Sequence, residues 1–374
     1  MYKELTARTA ARLQGASDGA APLRMTVGLD AFVDEIIRVV DRRTSDTEFT
    51  TIEQIVELGT RIIGAAGQST NLELVVERVK LGGNGPIMAN ALASLGPAVS
   101  CVGPLGVGGG LHPAFAEMGE RAELIPLGEP GHTDALEFED GKVMLGKLEP
   151  LNAVTWPRLA ETLGADGLVR LFADTDLLAL VNWTMIPAMS AIWEELLTLL
   201  ASSPARTGRR FFFDLADPEK HDDPKVAAAC RLLSRFQAFG PTTLGLNEKE
   251  AFRVGRALGY DGGHHGRAEV LGVTAFISAK LPLEAVVVHP RAYAVGGAAG
   301  QITANVDGPF IENPLISTGA GDHFNAGFCF GKQRGLSDDE AATVAVGTSG
   351  YYVRHAASPT LSELAGFLAE QAGE

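Results

Sequence analysis

The sequence predicts an α/β protein built on a doubly wound, mostly parallel sheet that is flanked by helices. The chain has 374 residues and 46% of them are hydrophobic, so it can form one large domain or two modest ones. In its second half, short apolar runs alternate with segments of helical periodicity, as expected for parallel strands that are covered on both faces. These runs lie at residues 177–181, 210–213, 242–246 and 285–288.

The first half of the chain contains a less regular series of elements. Residues 1–20 suggest a leading helix or a loose extension, and the apolar run at 23–29 predicts the first buried strand. Alternation and helical spacing predict the remaining strands and helices. They are strands at 34–43 and 72–81 and helices at 51–64, 86–95, 337–355 and 361–371.

A second, smaller sheet is also predicted. Three short apolar runs at 122–127, 133–138 and 142–145 have the length and composition of strands. A Glu-Asp-Gly sequence at 139–141 supplies a hairpin turn between the last two. Together with the strands at 34–43 and 72–81, these runs can form a sheet of their own.

The composition argues against two classes of partner. The net charge of −15 is unfavourable for binding to nucleic acid or to an anionic membrane surface. Residues 1–20 lack the apolar core of a signal peptide. The most apolar long stretch, at 177–200, is interrupted by Asn182, Pro187 and two glutamates, so we expect a buried strand and a helix rather than a membrane span.

The cysteines indicate a reducing compartment. Cys101, Cys230 and Cys329 lie far apart and have no CxxC spacing. Neither a disulfide framework nor a cysteine metal site is therefore expected. The sequence predicts an intracellular, cytoplasmic protein.

The segment 316–328 combines a glycine turn, the start of a helix and one carboxylate. Gly319 and Gly321 allow a positive φ and a close approach of ligand to backbone. The first N–H groups of the predicted helix have no internal partner and favour an anion. From these residues alone, two roles for Asp322 stay open. It is either a first-turn residue that stabilises the helix dipole or a general base that takes a proton from a hydroxyl.

This segment is similar to the late signature of the ribokinase-like (PfkB) carbohydrate kinases. The similarity rests on Gly319-Ala320-Gly321-Asp322 and on the Phe-Asn-Ala-Gly sequence at 324–327. The resemblance implies a ribokinase-like fold with a small β-sheet lid. It also implies that Asp322 is the catalytic base and that the amides of Gly319, Ala320 and Gly321 form an anion hole. Residues 316–317 (Ile-Ser) replace the usual leading Asp-Thr, near which some family members bind a monovalent cation.

Candidate sugar contacts lie in the first hundred residues. Asp30 and Asp34 follow the first strand, so they can bind sugar hydroxyls at the edge of the sheet or lie in a solvated loop. Gly82-Gly83-Asn84, followed by a helix that ends in Leu-Ala-Ser-Leu-Gly, is similar to the early signature of the same family. The resemblance implies that these three residues contact the sugar and that Asp34 or Asp30 hydrogen-bonds its hydroxyls.

Candidate nucleotide contacts follow the later strands. Taken alone, Asn247 and Glu250 form a capping box at the start of a helix. They also match the family's Asn-x-x-Glu motif, which implies that they organise Mg²⁺ and the phosphates, partly through water. His289 stands where family members often carry Thr-x-Gly and is expected at the nucleotide site; some related ADP-dependent sugar kinases carry a histidine near this strand. Asp214 and Asp217 could bind a cation, but a loop and a helix cap are the simpler interpretation.

The motifs together predict one ribokinase-like domain over residues 1–374, with a discontinuous lid at about 34–45, 71–81 and 121–147. The predicted reaction transfers the γ-phosphoryl group of Mg·ATP to a hydroxyl of a sugar, with the sugar and the nucleotide as partners. A nucleoside kinase of the same fold, a non-catalytic sugar-binding regulator, and ADP as the donor stay open as alternatives. The exposed edges of a lid sheet also allow a homodimer.

Overall fold

The computed structural model describes residues 2–15, 23–107 and 110–373. Its strands are β1 (Arg24–Gly28), β2 (Phe32–Arg43), β3 (Phe49–Thr51), β4 (Leu74–Gly82), β5 (Ala98–Gly103), β6 (Glu123–Pro126), β7 (Gly131–Phe138), β8 (Gly141–Lys147), β9 (Leu177–Leu180), β10 (Arg210–Asp214), β11 (Thr242–Asn247), β12 (Ala285–His289), β13 (Tyr293–Ala298) and β14 (Gln301–Asp307). Its α-helices are α1 (Tyr2–Gln14), α2 (Ile55–Gly64), α3 (Asn84–Ser94), α4 (Ala116–Gly119), α5 (Trp156–Leu168), α6 (Met189–Ser202), α7 (Asp223–Ser234), α8 (Glu248–Ala257), α9 (Arg267–Lys280), α10 (Ala320–Gln333), α11 (Asp338–His355) and α12 (Leu361–Gly373).

Nine strands form one large sheet in the order β14-β13-β12-β11-β10-β9-β1-β5-β6. All neighbours from β12 to β6 are parallel, and β13 and β14 continue the sheet as an antiparallel hairpin. Strands β9 to β12 are the four apolar runs of the second half, and their side chains are almost all buried. This confirms the predicted fold class.

Helices cover both faces of the large sheet and enclose a hydrophobic core on each. Helices α5 to α9 pack on one face, where Trp193 meets Phe213 edge-on with 4.9 Å between ring centroids. Helices α1, α3 and α10 to α12 pack on the other. There α10 and α11 approach closely because Gly327 has no side chain; a Cβ atom on it would lie 2.6 Å from Oγ1 of Thr348. The close packing fixes α10, which carries Asp322.

A five-stranded small sheet stands apart from the large one. Its central strand is β2, which pairs antiparallel with β4 and parallel with β7; β8 and β3 complete the sheet. In this register Asp34 lies opposite Lys80 on one side and Thr133 on the other. The predicted strands at 34–43, 72–81, 133–138 and 142–145 all belong here. Whether this sheet acts as a lid stays a prediction.

One strand assigned to the lid from sequence belongs to the large sheet instead. Residues 121–127 were included in the lid, but β6 pairs in parallel with β5 at the edge of the large sheet. The physical reason lies in its two neighbouring apolar side chains. Leu124 packs against the core on one face of the large sheet and Ile125 against the core on the other. A strand that is anchored in both cores cannot join the small sheet.

The β13–β14 hairpin was not predicted. Its tip is formed by Ala299 and Gly300, with φ values of 47° and 81°. Positive φ at both central residues is the geometry of a two-residue hairpin turn, although Ala-Gly is not among the usual sequences for it. Within the described residues, none of the helices has the length and apolar character that crossing a membrane requires.

Candidate active site

The candidate site lies where the carboxyl ends of the parallel strands meet the first turn of α10. Gly319 forms the N-cap of α10 with a φ of 92°, so a residue with a side chain would be strained there. Ala320 donates its N–H to the Ser317 carbonyl at 3.2 Å and closes the turn. Gly321 and Asp322 follow in the first helical turn, where backbone N–H groups lack helical partners and the helix dipole is positive.

Two cavities meet at this turn. The first, of about 580 Å³, lies between the turn and the small sheet, and we name it the small-sheet cavity. Gly319 and Asp322 form part of its wall. The second, of about 330 Å³, lies on the other side of the turn next to His289, and we name it the His289 cavity. Ala320 and Gly321 form part of its wall. A group bound at the turn is therefore accessible from both cavities.

Asp322 is buried, with 7% of its surface exposed. Its Oδ1 atom accepts a hydrogen bond of 2.9 Å from Nδ2 of Asn84. Burial, followed by the negative charge of Asp214, raises the pKa of Asp322 well above its usual value, and the hydrogen bond from Asn84 opposes the rise. A carboxylate in such a setting has a stronger tendency to take up a proton than one in water.

The two early aspartates occupy different positions relative to the small-sheet cavity. Asp34 is 5% exposed, and its carboxylate forms part of the wall of the small-sheet cavity. Burial raises the pKa of Asp34, while the charge of Lys80 and a hydrogen bond from Thr133 oppose the rise. Gly82 makes room for this carboxylate, because a Cβ atom at Gly82 would lie 2.4 Å from Oδ1 of Asp34.

Asp30 is fully buried behind the cavity wall. Its carboxylate accepts the backbone N–H groups of Asn84 at 2.9 Å and Gly85 at 2.7 Å, and Nδ2 of Asn182 at 2.8 Å. Burial raises the pKa of Asp30 to about 6, and these hydrogen bonds limit the rise. Asp30 therefore fixes the start of α3, including Gly83 and Asn84 in the cavity wall, and its effect on a sugar would be indirect.

Asn247 and Glu250 form the capping box at the start of α8, as the sequence predicts. Glu250 is 4% exposed; its Oε2 accepts the Asn247 N–H and its Oε1 the Asp217 N–H, both at 2.9 Å. Burial, followed by the negative charge of Asp214, raises the pKa of Glu250 to about 8. Asn247 lines the His289 cavity.

His289 lies at the end of β12 in the wall of the cavity named after it. Its ring packs on Phe324 with 4.7 Å between ring centroids. Burial lowers the pKa of His289 to about 4, so the ring is neutral at physiological pH. A Cβ atom on Gly321 would lie 3.1 Å from Cε1 of His289, so this glycine lets the ring approach the turn. The structure thus brings His289, Asn247 and the turn together in the wall of one cavity; their binding of a nucleotide stays a prediction.

Asp214 belongs to the site more closely than the sequence suggested. Its Oδ1 accepts the Ala216 N–H at 2.8 Å within the loop, as expected for a turn residue. Its Oδ2, however, accepts 2.7 Å from Nδ2 of Asn325 on α10. Burial raises the pKa of Asp214 to about 6, and the negative charge of Asp30 contributes. The sequence analysis does not identify Asn182 or Asn325 as site residues. For Asn182 the available signal was its position just after strand β9, and for Asn325 it was its position one helical turn after Asp322.

The donor set suits a hard cation. Asp214 and Glu250 carry carboxylate oxygens, and Asn247 an amide oxygen, at the same edge of the sheet; each of these oxygens accepts a backbone or amide N–H, and of the three residues Asn247 lines the His289 cavity. Oxygen ligands of this kind are those that Mg²⁺ takes, together with several waters. Across residues 2–15, 23–107 and 110–373, no three His, Cys, Asp or Glu side chains converge closely enough to hold a metal ion by themselves.

The fold is that of the ribokinase-type kinases. Three solved structures illustrate the likeness in fold. A probable sugar kinase from Rhizobium etli CFN 42 is 18% identical with a TM-score of 0.63, covering 94% of this chain and 98% of that one. Ribokinase from Cryptococcus neoformans var. grubii, in complex with ADP, is 17% identical with a TM-score of 0.61, and the match covers 92% of this chain and 99% of that one. Adenosine kinase from Sinorhizobium meliloti is 18% identical with a TM-score of 0.60, and the match covers 94% of this chain and 100% of that one.

Sequence comparison identifies the family. The model of the prokaryotic ketohexokinase family matches residues 6–371. Ketohexokinase from Haloferax volcanii is 27% identical over 355 residues, which cover 92% of this chain and 90% of that protein. The chain therefore belongs to the prokaryotic ketohexokinase family.

Proposed function

We propose that the protein transfers the γ-phosphoryl group of Mg·ATP to a hydroxyl of a ketohexose, with Asp322 as the general base. The observation that carries the proposal is the position of Asp322 at the turn where the small-sheet cavity and the His289 cavity meet. A sugar in the first cavity and a nucleotide in the second would have their reacting groups at this turn. The ketohexose is the substrate that the name of the Haloferax relative gives for that protein.

The charges of the small-sheet cavity favour a neutral polyol. Three carboxylates, those of Asp34, Asp217 and Asp322, line it, and Lys220 is the cation among its lining residues. A sugar acid or a sugar phosphate would meet net repulsion there, whereas hydroxyl groups can donate to the carboxylates. Gly83 and Asn84 add a backbone surface and an amide to the same wall. These positions support the predicted sugar-binding role of Gly83, Asn84 and Asp34, whereas Gly82 acts on the sugar only through the room that it leaves for the Asp34 carboxylate.

In the proposed reaction, a sugar hydroxyl gives its proton to the Asp322 carboxylate while its oxygen forms a bond to the γ-phosphorus of ATP. The bond from this phosphorus to the bridging oxygen of ADP breaks at the same time. Asn84 holds one carboxylate oxygen of Asp322 at 2.9 Å, which leaves the other oxygen for the hydroxyl. The N–H groups of Gly319 and Gly321, with the positive end of the helix dipole, stabilise the transferring charge, whereas the N–H of Ala320, expected in the same anion hole, donates to Ser317 instead.

The nucleotide is expected in the His289 cavity, with its phosphates towards the turn. Asn247 and Glu250, supported by Asp214, would hold Mg²⁺ through oxygen atoms and water. When bound, Mg²⁺ neutralises charge on the phosphates. The neutral ring of His289 adds no positive charge to the site, so its proposed role is a packing contact with the nucleotide beside Phe324.

The small sheet would act as a lid that excludes water while the phosphoryl group is transferred. It also leaves apolar side chains exposed on its own strands and on α2, which supports the predicted homodimer. The exposed residues are Val56, Ile62 and Ile63 on α2, Leu74, Val76 and Val79 on β4, and Met144 and Leu145 on β8. Light scattering after gel filtration measures the mass; a monomer at micromolar concentration contradicts the homodimer.

The test of the proposed function is nucleotide release from purified protein with Mg·ATP and one acceptor at a time. The acceptors are fructose and other ketohexoses, aldohexoses, sugar acids and nucleosides, with Mg·ADP as donor in a parallel series. ADP release that depends on a ketohexose supports the proposal. Release with adenosine instead would favour a nucleoside kinase, and AMP from the Mg·ADP series would assign ADP as the donor. Sugar binding without any turnover would favour a regulator.

A further inference from the structure

A histidine stands directly after the proposed base and is hydrogen-bonded on both ring nitrogens. His323 is 2% exposed; its Nδ1 lies 2.8 Å from the Gly319 carbonyl oxygen and its Nε2 lies 2.8 Å from Oγ of Ser358. A carbonyl oxygen only accepts, so Nδ1 carries the proton and donates it. Burial lowers the pKa of His323 to about 4, so the ring is neutral and Nε2 accepts from Ser358.

A tyrosine secures the neighbouring peptide of the same turn. The phenol of Tyr352 donates a hydrogen bond of 2.9 Å to the Thr318 carbonyl oxygen. Its ring stacks on the imidazole of His323, with 3.6 Å between centroids and 15° between planes. Tyr352 thus holds the Thr318 carbonyl, and the imidazole of His323 adds a second hydrogen bond to the Gly319 carbonyl, which also accepts the backbone N–H of His323 at 3.1 Å. We name His323 and Tyr352 the turn clamp.

The clamp controls where the N–H groups of the turn point. A peptide unit is planar, and in its trans form the C=O and the following N–H point in opposite directions. Holding the Thr318 carbonyl therefore sets the direction of the Gly319 N–H. Holding the Gly319 carbonyl sets the Gly319–Ala320 peptide, whose N–H closes the turn onto Ser317 at 3.2 Å. Gly319 needs such support because its φ of 92° is one of many that glycine can adopt.

The clamp also ties the turn to the sugar side of the site. Nδ2 of Asn90 donates a hydrogen bond of 3.2 Å to Oγ of Ser358, and the same hydroxyl donates to His323. Asn90 lies on α3, which begins at Asn84, and Asn84 holds Asp322. A chain of hydrogen bonds therefore joins the helix that carries the sugar contacts to the turn that faces the phosphoryl group.

We infer that His323 and Tyr352 are positioning residues, which hold the Thr318–Ala320 turn so that its Gly319 N–H and the Asp322 carboxylate stay aligned with the transferring phosphoryl group. This inference rests on the proposed function. Neither side chain lines the small-sheet cavity or the His289 cavity, so each would act through the backbone of the turn. Their loss should therefore lower kcat and leave sugar binding nearly unchanged.

The test compares His323→Leu with His323→Asn in the full-length protein, using Mg·ATP and fructose. The two new side chains have nearly the same shape, but only asparagine offers an N–H donor close to the position of imidazole Nδ1. We expect the leucine variant to lower kcat by about tenfold to hundredfold, because the Gly319 N–H would no longer be held in line with the transferring phosphoryl group. The KM for fructose should change by less than about twofold. Asparagine should recover most of the loss.

Two further variants separate positioning from stability. Tyr352→Phe keeps the ring stack and removes only the bond to Thr318, so kcat should fall severalfold at an unchanged Tm. Leu233→Ala opens a cavity in the core on the opposite face of the sheet, so it should lower Tm and leave kcat unchanged. A kcat that follows Tm through all four variants would mean a purely structural role and overturn the inference.

Equal losses in the leucine and asparagine variants, full kcat in the leucine variant, or a rise in KM without a fall in kcat would each overturn it as well. A wild-type protein without turnover on any acceptor would instead remove the proposed function, and the inference with it. Wild-type turnover together with a leucine–asparagine difference in kcat supports both.

Discussion

Replacing Asp322 by asparagine separates the proposed chemical role of this residue from its structural one. Asparagine keeps an oxygen that can accept from Nδ2 of Asn84, so the 2.9 Å contact and the local geometry should persist. It cannot take up a proton from the sugar, and a general base contributes about 10²–10⁴ to the rate. We expect kcat for fructose to fall by at least about 10², with KM nearly unchanged, in a coupled assay of ADP release.

The same substitution should not destabilise the protein. The pKa of Asp322 is raised well above its usual value by burial and by the charge of Asp214, so its ionised form is unfavourable in the folded state. Asparagine removes that charge, and we expect an equal or higher Tm at pH 8. Asp166→Asn, which removes an exposed carboxylate on α5, is the matched control and should change neither kcat nor Tm.

A folded Asp322→Asn protein that retains more than about a tenth of the wild-type kcat would refute the assignment of the base, because the loss would be smaller than a general base provides. A large rise in KM at constant kcat would also refute it, since it would make Asp322 a sugar ligand. A fall in Tm together with kcat would point to a structural carboxylate at the start of α10.

Three further predictions use the other carboxylates. Asp34→Asn should raise KM for fructose by about tenfold or more with little change in kcat, because a hydrogen bond to a charged group contributes about 1.5–3 kcal/mol; initial rates across sugar concentrations measure it, and an unchanged KM contradicts it. Glu250→Gln keeps one oxygen for the Asn247 N–H of the capping box but loses the charge and the acceptor of the Asp217 N–H, so the Mg²⁺ concentration for half-maximal rate should rise. An unchanged Mg²⁺ dependence excludes Glu250 from the metal site. Without ligands, Tm should fall as pH rises from about 5 to 8. Burial raises the pKa of Asp30 and Asp214 to about 6 and that of Glu250 to about 8, so the folded state binds protons that the unfolded chain has released. The lowered pKa values of His289 and His323 act in the opposite sense below about pH 6.5, so the fall in Tm should be clearest above that pH. A constant Tm over that range would contradict these shifts.

The features that the sequence predicted correctly are local ones. The apolar runs became strands β9 to β12, and the Asn247–Glu250 spacing became a capping box, because strand burial and helix capping depend on residues a few positions apart. The glycine turn before α10 was recognisable for the same reason. The wrong assignment concerned β6, whose four residues carry no local signal for which of two sheets they join.

The contacts that organise the site are long-range, and periodicity cannot reveal them. Asn84 and Asp322 are 238 positions apart, Asp30 and Asn182 are 152 apart, and Asp214 and Asn325 are 111 apart. Only the fold brings these pairs together at the carboxyl edge of the sheet. The sequence therefore named Asp322 and Asn84 as separate candidates, and it could not show that one holds the other.

The buried carboxylates share a property that links stability to the proposed chemistry. Within the described residues, Asp30, Asp214, Glu250 and Asp322 form no ion pair; each accepts hydrogen bonds from neutral backbone or amide N–H groups. Neutral donors orient a carboxylate but leave its charge available to a cation or to a hydroxyl proton. If a lysine or arginine replaced these neutral donors, it would stabilise the fold and lower the pKa values of the carboxylates. It would also neutralise the negative charge that Mg²⁺ and the sugar hydroxyl require. The raised pKa values therefore indicate that ionised carboxylates at these positions destabilise the folded state, which is the consequence of keeping a proposed base and proposed metal ligands without a cationic partner.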